Sequence, residues 1–124
     1  MDTQTTPIAS VISPDLVNRC LGRLELVDRI LRAFDGQVER DLHALREALA
    51  QNDLKQVASI AHRMKGAAAN CSMTAMANTA ATIEQQARQE RSEHLFELLS
   101  DLDRQLDEFR LACERELTAS SGLR

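Results

Sequence analysis

Ten residues near the middle of the chain, Ala61 to Asn70, carry the clearest chemical potential. They read AHRMKGAAAN, and His62 is followed by Lys65 and Gly66 at three and four positions. In a helix, residues at these spacings lie on one face, so the lysine and the glycine adjoin the imidazole. A neutral imidazole can act as a nucleophile, and a nearby cation suits an anionic group attached to it. The spacing therefore indicates a nucleophilic histidine.

Helical geometry places His62 away from the protein core. At 3.6 residues per turn the apolar side chains gather on the opposite face. These are Leu54, Val57, Ile60, Ala61, Met64, Ala67, Ala68 and Cys71. Around the histidine lie Lys55, Ser59, Gly66 and Ala69, which we predict to contact a partner or leave room for one. A glycine inside a helix costs about 1 kcal/mol relative to alanine, so Gly66 indicates clearance for a large group approaching the ring.

Glu84 is the predicted companion of His62. It lies at the edge of the apolar stripe of the next helix, where a carboxylate is costly without a partner. His62 precedes the turn at Ser72 by ten residues and Glu84 follows it by twelve, so their heights differ by about 3 Å in an antiparallel pair. A carboxylate on one ring nitrogen would leave the other as the nucleophile, ready to accept a phosphoryl group. Lys65 would offset the added charge, and Lys55 and Arg63 would extend the basic rim.

The elements that position these residues are predicted to be helices throughout. Ser13 and Pro14 start a short helix that ends near Gly22. A long helix from Leu24 to Ala50 follows, and Asn52 or Asp53 caps the histidine helix, which runs to about Cys71. Ser72 is expected to cap the next helix, and the last long helix begins after Ser92.

Short connections near residues 51, 72 and 91 make consecutive helices antiparallel neighbours. The predicted fold is all-α: an antiparallel up-down four-helix bundle with a short additional N-terminal helix. We assign residues 13–117 to this bundle, with flexible tails at 1–12 and 118–124.

Composition excludes several classes of protein. The 124 residues are 44% hydrophobic, enough for one core, but only 2% aromatic, which leaves no stacking platform for bases. A net charge of -4 also argues against nucleic acid. Three cysteines favour a reducing compartment, and the first residues resemble neither a secretion signal nor a membrane span. We therefore expect a cytoplasmic monomer that binds neither nucleic acid nor membrane.

The His62–Asn70 run, HRMKGAAAN, resembles the H-x-L-K-G-[SA]-[SA]-x-N motif of the histidine-containing phosphotransfer (HPt) family of two-component phosphorelays. The similarity in element order extends from roughly Leu16 to Arg115. It implies that His62 is phosphorylated, that Lys65 and Gly66 are its motif neighbours, and that Glu84 takes the acid or amide position. It also implies partners: receiver domains of hybrid sensor kinases and response regulators. The chain has Ser72 where members commonly have glycine.

No cofactor or metal is expected in the chain itself. The sequence contains no phosphate-cradling loop or nucleotide motif, and His62 and Cys71 lie on opposite faces of one helix, where they cannot share an ion. Any Mg²⁺ would belong to the partner receiver domain. The chain is therefore predicted to be a phosphocarrier without ATP-dependent kinase activity.

Other interpretations remain open at the level of sequence. The chain could be a helical binding module that docks response regulators without phosphotransfer, its histidine being incidental. It could also be the phosphotransfer segment of a chemotaxis-type kinase, which the initiating Met1 and the absence of downstream sequence disfavour. His43 is predicted to be a helix-surface residue, and His94 a first-turn residue.

Overall fold

A computed structural model describes the backbone of residues 14–122 and the side chains of residues 16–115. Its elements are α1 Pro14–Arg19, α2 Leu24–Ala50, α3 Leu54–Asn70, α4 Thr74–Arg88 and α5 Leu95–Gly122. No strand occurs within this part of the chain. The predicted helical bundle with a short leading helix is confirmed, and the bounds of α2 match the prediction.

Each long helix packs against its neighbours in sequence, and α5 closes the bundle against α2. The core between them is aliphatic, as the scarcity of aromatic residues requires, with one edge-to-face contact between Phe34 and Phe109 at a ring separation of 5.3 Å. Arg19 at the end of α1 donates to the backbone carbonyl of Asn70, which ties the leading helix to the end of α3. Consequently α3 is held by α2 and α4 along its sides and by α1 at its C-terminus.

The turns that follow α1, α2, α3 and α4 contain the non-glycine residues Leu21, Asn52, Ser72 and Glu90, each with φ between 56° and 61°. After α3, the amide of Met73 donates to the carbonyl of Ala68 at 2.8 Å, a bond that a left-handed residue at Ser72 makes possible. The prediction that Ser72 caps α4 is therefore wrong. Ser72 closes the preceding helix, and Met73 takes the N-cap position without a side-chain hydrogen bond.

Two other predictions about helix ends have clear outcomes. The Asp53 side chain accepts from the amide of Gln56 at 3.2 Å and caps α3, whereas Asn52 belongs to the turn. His94 is not in the first turn, because α5 begins at Leu95 and the His94 carbonyl accepts the amide of Leu98 from just outside the helix. Its ring lies beside the Glu97 carboxylate, whereas His43 is exposed and pairs with Glu47.

The predicted N-terminal tail, residues 1–12, and the predicted cap Ser13 lie outside the described residues. The backbone of α5 continues past residue 117 to Gly122. Cys20 and Cys71 are buried thiols and Cys113 is half-buried. Within the described residues, no helix combines the length and the apolar composition needed to cross a membrane.

Candidate functional site

His62 lies on the exposed face of α3. Its side chain is 63% exposed, while Val57, Ile60, Ala61 and Met64 on the other side of the same helix are buried. The helical periodicity of the sequence predicts this orientation, since apolar residues recur every three or four positions and His62 falls between them. The imidazole is therefore accessible to another protein from solvent.

Glu84 of α4 meets the histidine, as the register of the two helices predicts. Its Oε2 lies 3.1 Å from Nδ1 of His62, and its side chain is only 11% exposed. Burial raises the pKa of this carboxyl, but hydrogen bonds from Arg88, Lys65 and His62 outweigh burial and lower the pKa to about 2. Glu84 is therefore an anion at neutral pH, with cationic or hydrogen-bond-donating groups around it.

The ionised carboxylate decides the tautomer of His62. An ionised carboxylate can only accept hydrogen bonds. Nδ1 must therefore carry the ring proton and donate a hydrogen bond to Glu84. The neutral ring then has its lone pair on Nε2. No side chain in the described part of the chain makes a hydrogen bond to Nε2. The arrangement thus presents a fixed, solvent-facing nucleophilic nitrogen.

Two further cations complete the cluster around Glu84. Nζ of Lys65 lies 3.1 Å from Oε1, which places the motif lysine beside the histidine as predicted. Arg88 of α4 donates from Nε at 3.0 Å and from Nη2 at 2.8 Å to Oε2, the same oxygen that faces His62. The sequence analysis did not predict Arg88 as a site residue. Its position four residues after Glu84 on one helix nevertheless indicates that the two side chains are neighbours.

Gly66 borders open space. A Cβ built on this residue meets no other atom within 4 Å. Packing against a neighbouring helix therefore does not explain the glycine, and the space beside His62 is free for an approaching group. Lys55, Ser59 and Ala69, the other predicted neighbours on this face, are all exposed.

Arg63, predicted to be part of the basic rim, turns instead toward α2. Its Nη2 donates to Oδ1 of Asp41 at 3.0 Å, and Gln37 donates to the same oxygen at 3.1 Å. Asp41 is buried, with a side chain only 3% exposed, whereas the Arg63 side chain is 56% exposed. Sequence reasoning also missed Asp41, and the available signal was a carboxylate next to Leu42 in the apolar stripe of α2.

Comparisons with known proteins show the family of the chain. The family model of the Hpt domain matches residues 29–112, which is most of the chain. The chain belongs to the Hpt domain family. A histidine phosphotransfer role in two-component relays follows from this membership. Hpt domains are phosphocarriers rather than kinases, and they interact with receiver domains.

A solved structure resembles this Hpt domain in fold. The crystal structure of histidine-containing phosphotransfer protein B (HptB) from Pseudomonas aeruginosa PAO1 matches with a TM-score of 0.75 and 20% sequence identity. The match covers 87% of this chain and 95% of that chain. No curated protein matches the chain in sequence. At this identity the likeness supports the helical architecture and leaves the roles of individual residues to the geometry of the site.

The described residues hold no group of three or more His, Cys, Asp or Glu that could bind a metal ion.

Proposed function

We propose that this Hpt domain is a phosphorelay intermediate. His62 accepts a phosphoryl group from the aspartyl phosphate of one receiver domain and passes it to the aspartate of another. The observation that carries the proposal is the 3.1 Å contact between Nδ1 of the exposed His62 and the ionised Glu84, since it leaves Nε2 as the nucleophile. The open space beside Gly66 gives a receiver access to that nitrogen.

All the bonds that form and break in the proposed transfer belong to the imidazole and the acyl phosphate. The lone pair of Nε2 attacks phosphorus, so an N–P bond forms, the P–O bond of the acyl phosphate breaks, and the aspartate leaves as a carboxylate. The ring gains positive charge while Nδ1 keeps its proton, and Glu84, 3.1 Å away, stabilises that charge. The second transfer is the reverse reaction with a different receiver aspartate.

Lys65 and Arg88 offset the charge of the incoming group. Both cations already contact Glu84, so the two of them together outweigh its single negative charge. A phosphoryl group on Nε2 adds negative charge next to this excess of positive charge, which favours the phosphorylated form. Lys65 and Gly66 thus serve the nucleophile in different ways, the first by charge and the second by leaving room.

The chain is proposed to work without a metal or an organic cofactor, with Mg²⁺ held by the partner receiver domain. We also propose that it acts as a monomer in the cytoplasm, with no nucleic acid or membrane among its partners. The buried thiols Cys20 and Cys71 suit a reducing compartment.

Mixing the purified chain with receiver domains that carry labelled aspartyl phosphate tests the proposal. We expect label to move to this chain in an adduct that is labile to acid and stable to alkali, as a phosphorus–nitrogen bond requires, and to move on when a second receiver is added. If no receiver of the source organism donates label, the chain is a binding module instead.

A further inference from the structure

A groove adjoins the His62–Glu84 pair along the seam between α3 and α4. Its volume is about 580 Å³. Ala58 and Ala87 line it, and because both residues are small and almost fully buried, they leave a shallow apolar floor. Ala58 precedes His62 by four residues, so the floor begins about 6 Å from the histidine along the helix axis. A protein that brings its phosphoaspartate to Nε2 therefore comes within about one helical turn of this groove.

The groove also shares a residue with the site. Arg88 lines it and donates to Oε2 of Glu84, the oxygen that faces the histidine. A partner seated in the groove would therefore contact the same arginine that holds the carboxylate behind His62. The groove is thus continuous with the phosphotransfer site.

Two charges that line the groove have no ion-pair partner among the described residues. Lys55 of α3 and Glu90, just after α4, both line the groove and are exposed, and neither forms an ion pair with any described residue. The other cations around the histidine differ in this respect, since Arg63, Lys65 and Arg88 are each bound to a carboxylate. Lys55 and Glu90 are available to a second protein.

A second groove, between α2 and α5, provides a contrast. Its volume is similar, about 550 Å³, but its arginines are already engaged: Arg32 pairs with Asp28, and Arg110 pairs with Asp35. Its lining residues come from neither α3 nor α4. Of these two grooves among the described residues, the α3–α4 groove is the one that combines unpaired charges of both signs with proximity to the nucleophile.

We infer that the α3–α4 groove seats the receiver surface next to the phosphoaspartate, with Lys55 binding a carboxylate of the receiver and Glu90 binding one of its cations. This inference rests on the proposed function for the identity of the partner. A pair of opposite charges on two sides of an apolar floor fixes the orientation of the bound receiver, because a rotated receiver would place like charges together.

The test measures binding separately from transfer. Each receiver domain of the source genome is activated with beryllofluoride, and its dissociation constant is measured against the wild-type chain, Lys55→Glu and Glu90→Lys. Arg29→Glu is the matched control, since Arg29 is exposed near the start of α2, at the opposite end of the bundle from the groove. Circular dichroism confirms that the variants fold.

We expect each charge reversal in the groove to weaken binding about tenfold at low ionic strength, and Arg29→Glu to change it less than twofold. The two groove variants change the net charge in opposite directions. General attraction between charged proteins would therefore make one variant bind more tightly and the other more weakly, and this result would overturn the inference. Equal binding by all variants, or no binding by any receiver, would overturn it as well.

Label transfer, measured separately with receivers that carry labelled aspartyl phosphate instead of beryllofluoride, separates this inference from the proposed function. Receivers that bind through Lys55 and Glu90 but transfer no label would support the groove and contradict the phosphorelay role. Transfer to His62 that is insensitive to both charge reversals would support the role and contradict the groove.

Discussion

The two sides of α3 hold buried carboxylates in different ways. On the α4 side, Glu84 is contacted by His62, Lys65 and Arg88. On the α2 side, Asp41 is contacted by Arg63 and Gln37. Consecutive residues of one helix thus reach carboxylates on two different helices.

The difference lies in the groups that face the carboxylates. Arg63 keeps its charge under all ordinary conditions, so its bond to Asp41 ties α3 to α2 and has no reactive state. His62 can change its protonation and can form a covalent bond, and its partner Glu84 is held as an anion by two further cations. A buried carboxylate thus supports chemistry here only where its partner is itself a nucleophile.

The largest expected effect comes from replacing, one at a time, His62 and Arg63, the residues that pair with the two buried carboxylates. His62→Gln should abolish phosphoryl acceptance and leave stability nearly unchanged, because the side chain is 63% exposed and Glu84 keeps its contacts with Lys65 and Arg88. Arg63→Gln should still accept label but lose about 1–3 kcal/mol of stability, since it leaves Asp41 buried without its charged partner. Label incorporation and urea denaturation of both variants measure these effects.

His43→Gln and His94→Gln serve as controls for the first variant and should accept label at the wild-type rate, because both rings are exposed and pair only with carboxylates nearby in sequence. Full labelling of His62→Gln would show that the phosphorylated residue lies elsewhere.

Removing the carboxylate behind the nucleophile should have the next largest effect. Glu84→Ala is expected to slow phosphoryl transfer about tenfold to a hundredfold, because the ring loses the acceptor that fixes its orientation. Nitrogen NMR of the ring should show the neutral tautomer with the proton on Nδ1 in the wild type and a mixture of tautomers in the variant. An identical tautomer ratio in both would show that Glu84 does not orient His62.

The stability that Glu84 contributes should depend on pH. The pKa of Glu84 in the folded protein is about 2, below its ordinary value of 4.5, so the ionised carboxylate stabilises the fold above about pH 4.5. This contribution is lost as the pH falls from 4.5 toward 2. Glu84→Gln lacks it at every pH.

Urea unfolding between pH 2 and pH 7 should therefore show wild type more stable than Glu84→Gln near neutrality, with the two curves converging toward pH 2. A constant difference across this range would mean that the cations do not depress the pKa of Glu84.

Substitutions at Gly66 should change stability only slightly. Gly66→Ala and Gly66→Leu should each raise the stability of the free chain by somewhat under 1 kcal/mol, since both residues favour helix and a Cβ meets no other atom within 4 Å. Gly66→Leu should nevertheless slow transfer from receivers, because the larger side chain stands one turn from His62. Transfer by Gly66→Leu at the wild-type rate would contradict the proposed clearance.

The sequence by itself determined the helical bundle and the pairing of His62 with Glu84. Both depend on short-range regularities: a hydrophobic repeat near 3.6 residues, and similar distances of His62 and Glu84 from one tight turn. The bounds of α2 and the outward orientation of His62 were predictable for the same reason.

Only the tertiary structure decided how the remaining charges pair. Arg63 has carboxylates available on two sides, and its choice of Asp41 depends on how α2 lies against α3, which no local pattern specifies. The role of Ser72 was likewise hidden, because a serine next to a helix start resembles a cap, yet the chain reversal after α3 required a left-handed residue at that position. Arg88 reaches Glu84 by a bond within one helix, but its place beside His62 arises only when α4 packs on α3. Contacts set by neighbouring residues can be read from the sequence, whereas contacts between helices depend on rotamers and interhelical register that are fixed only when the bundle forms.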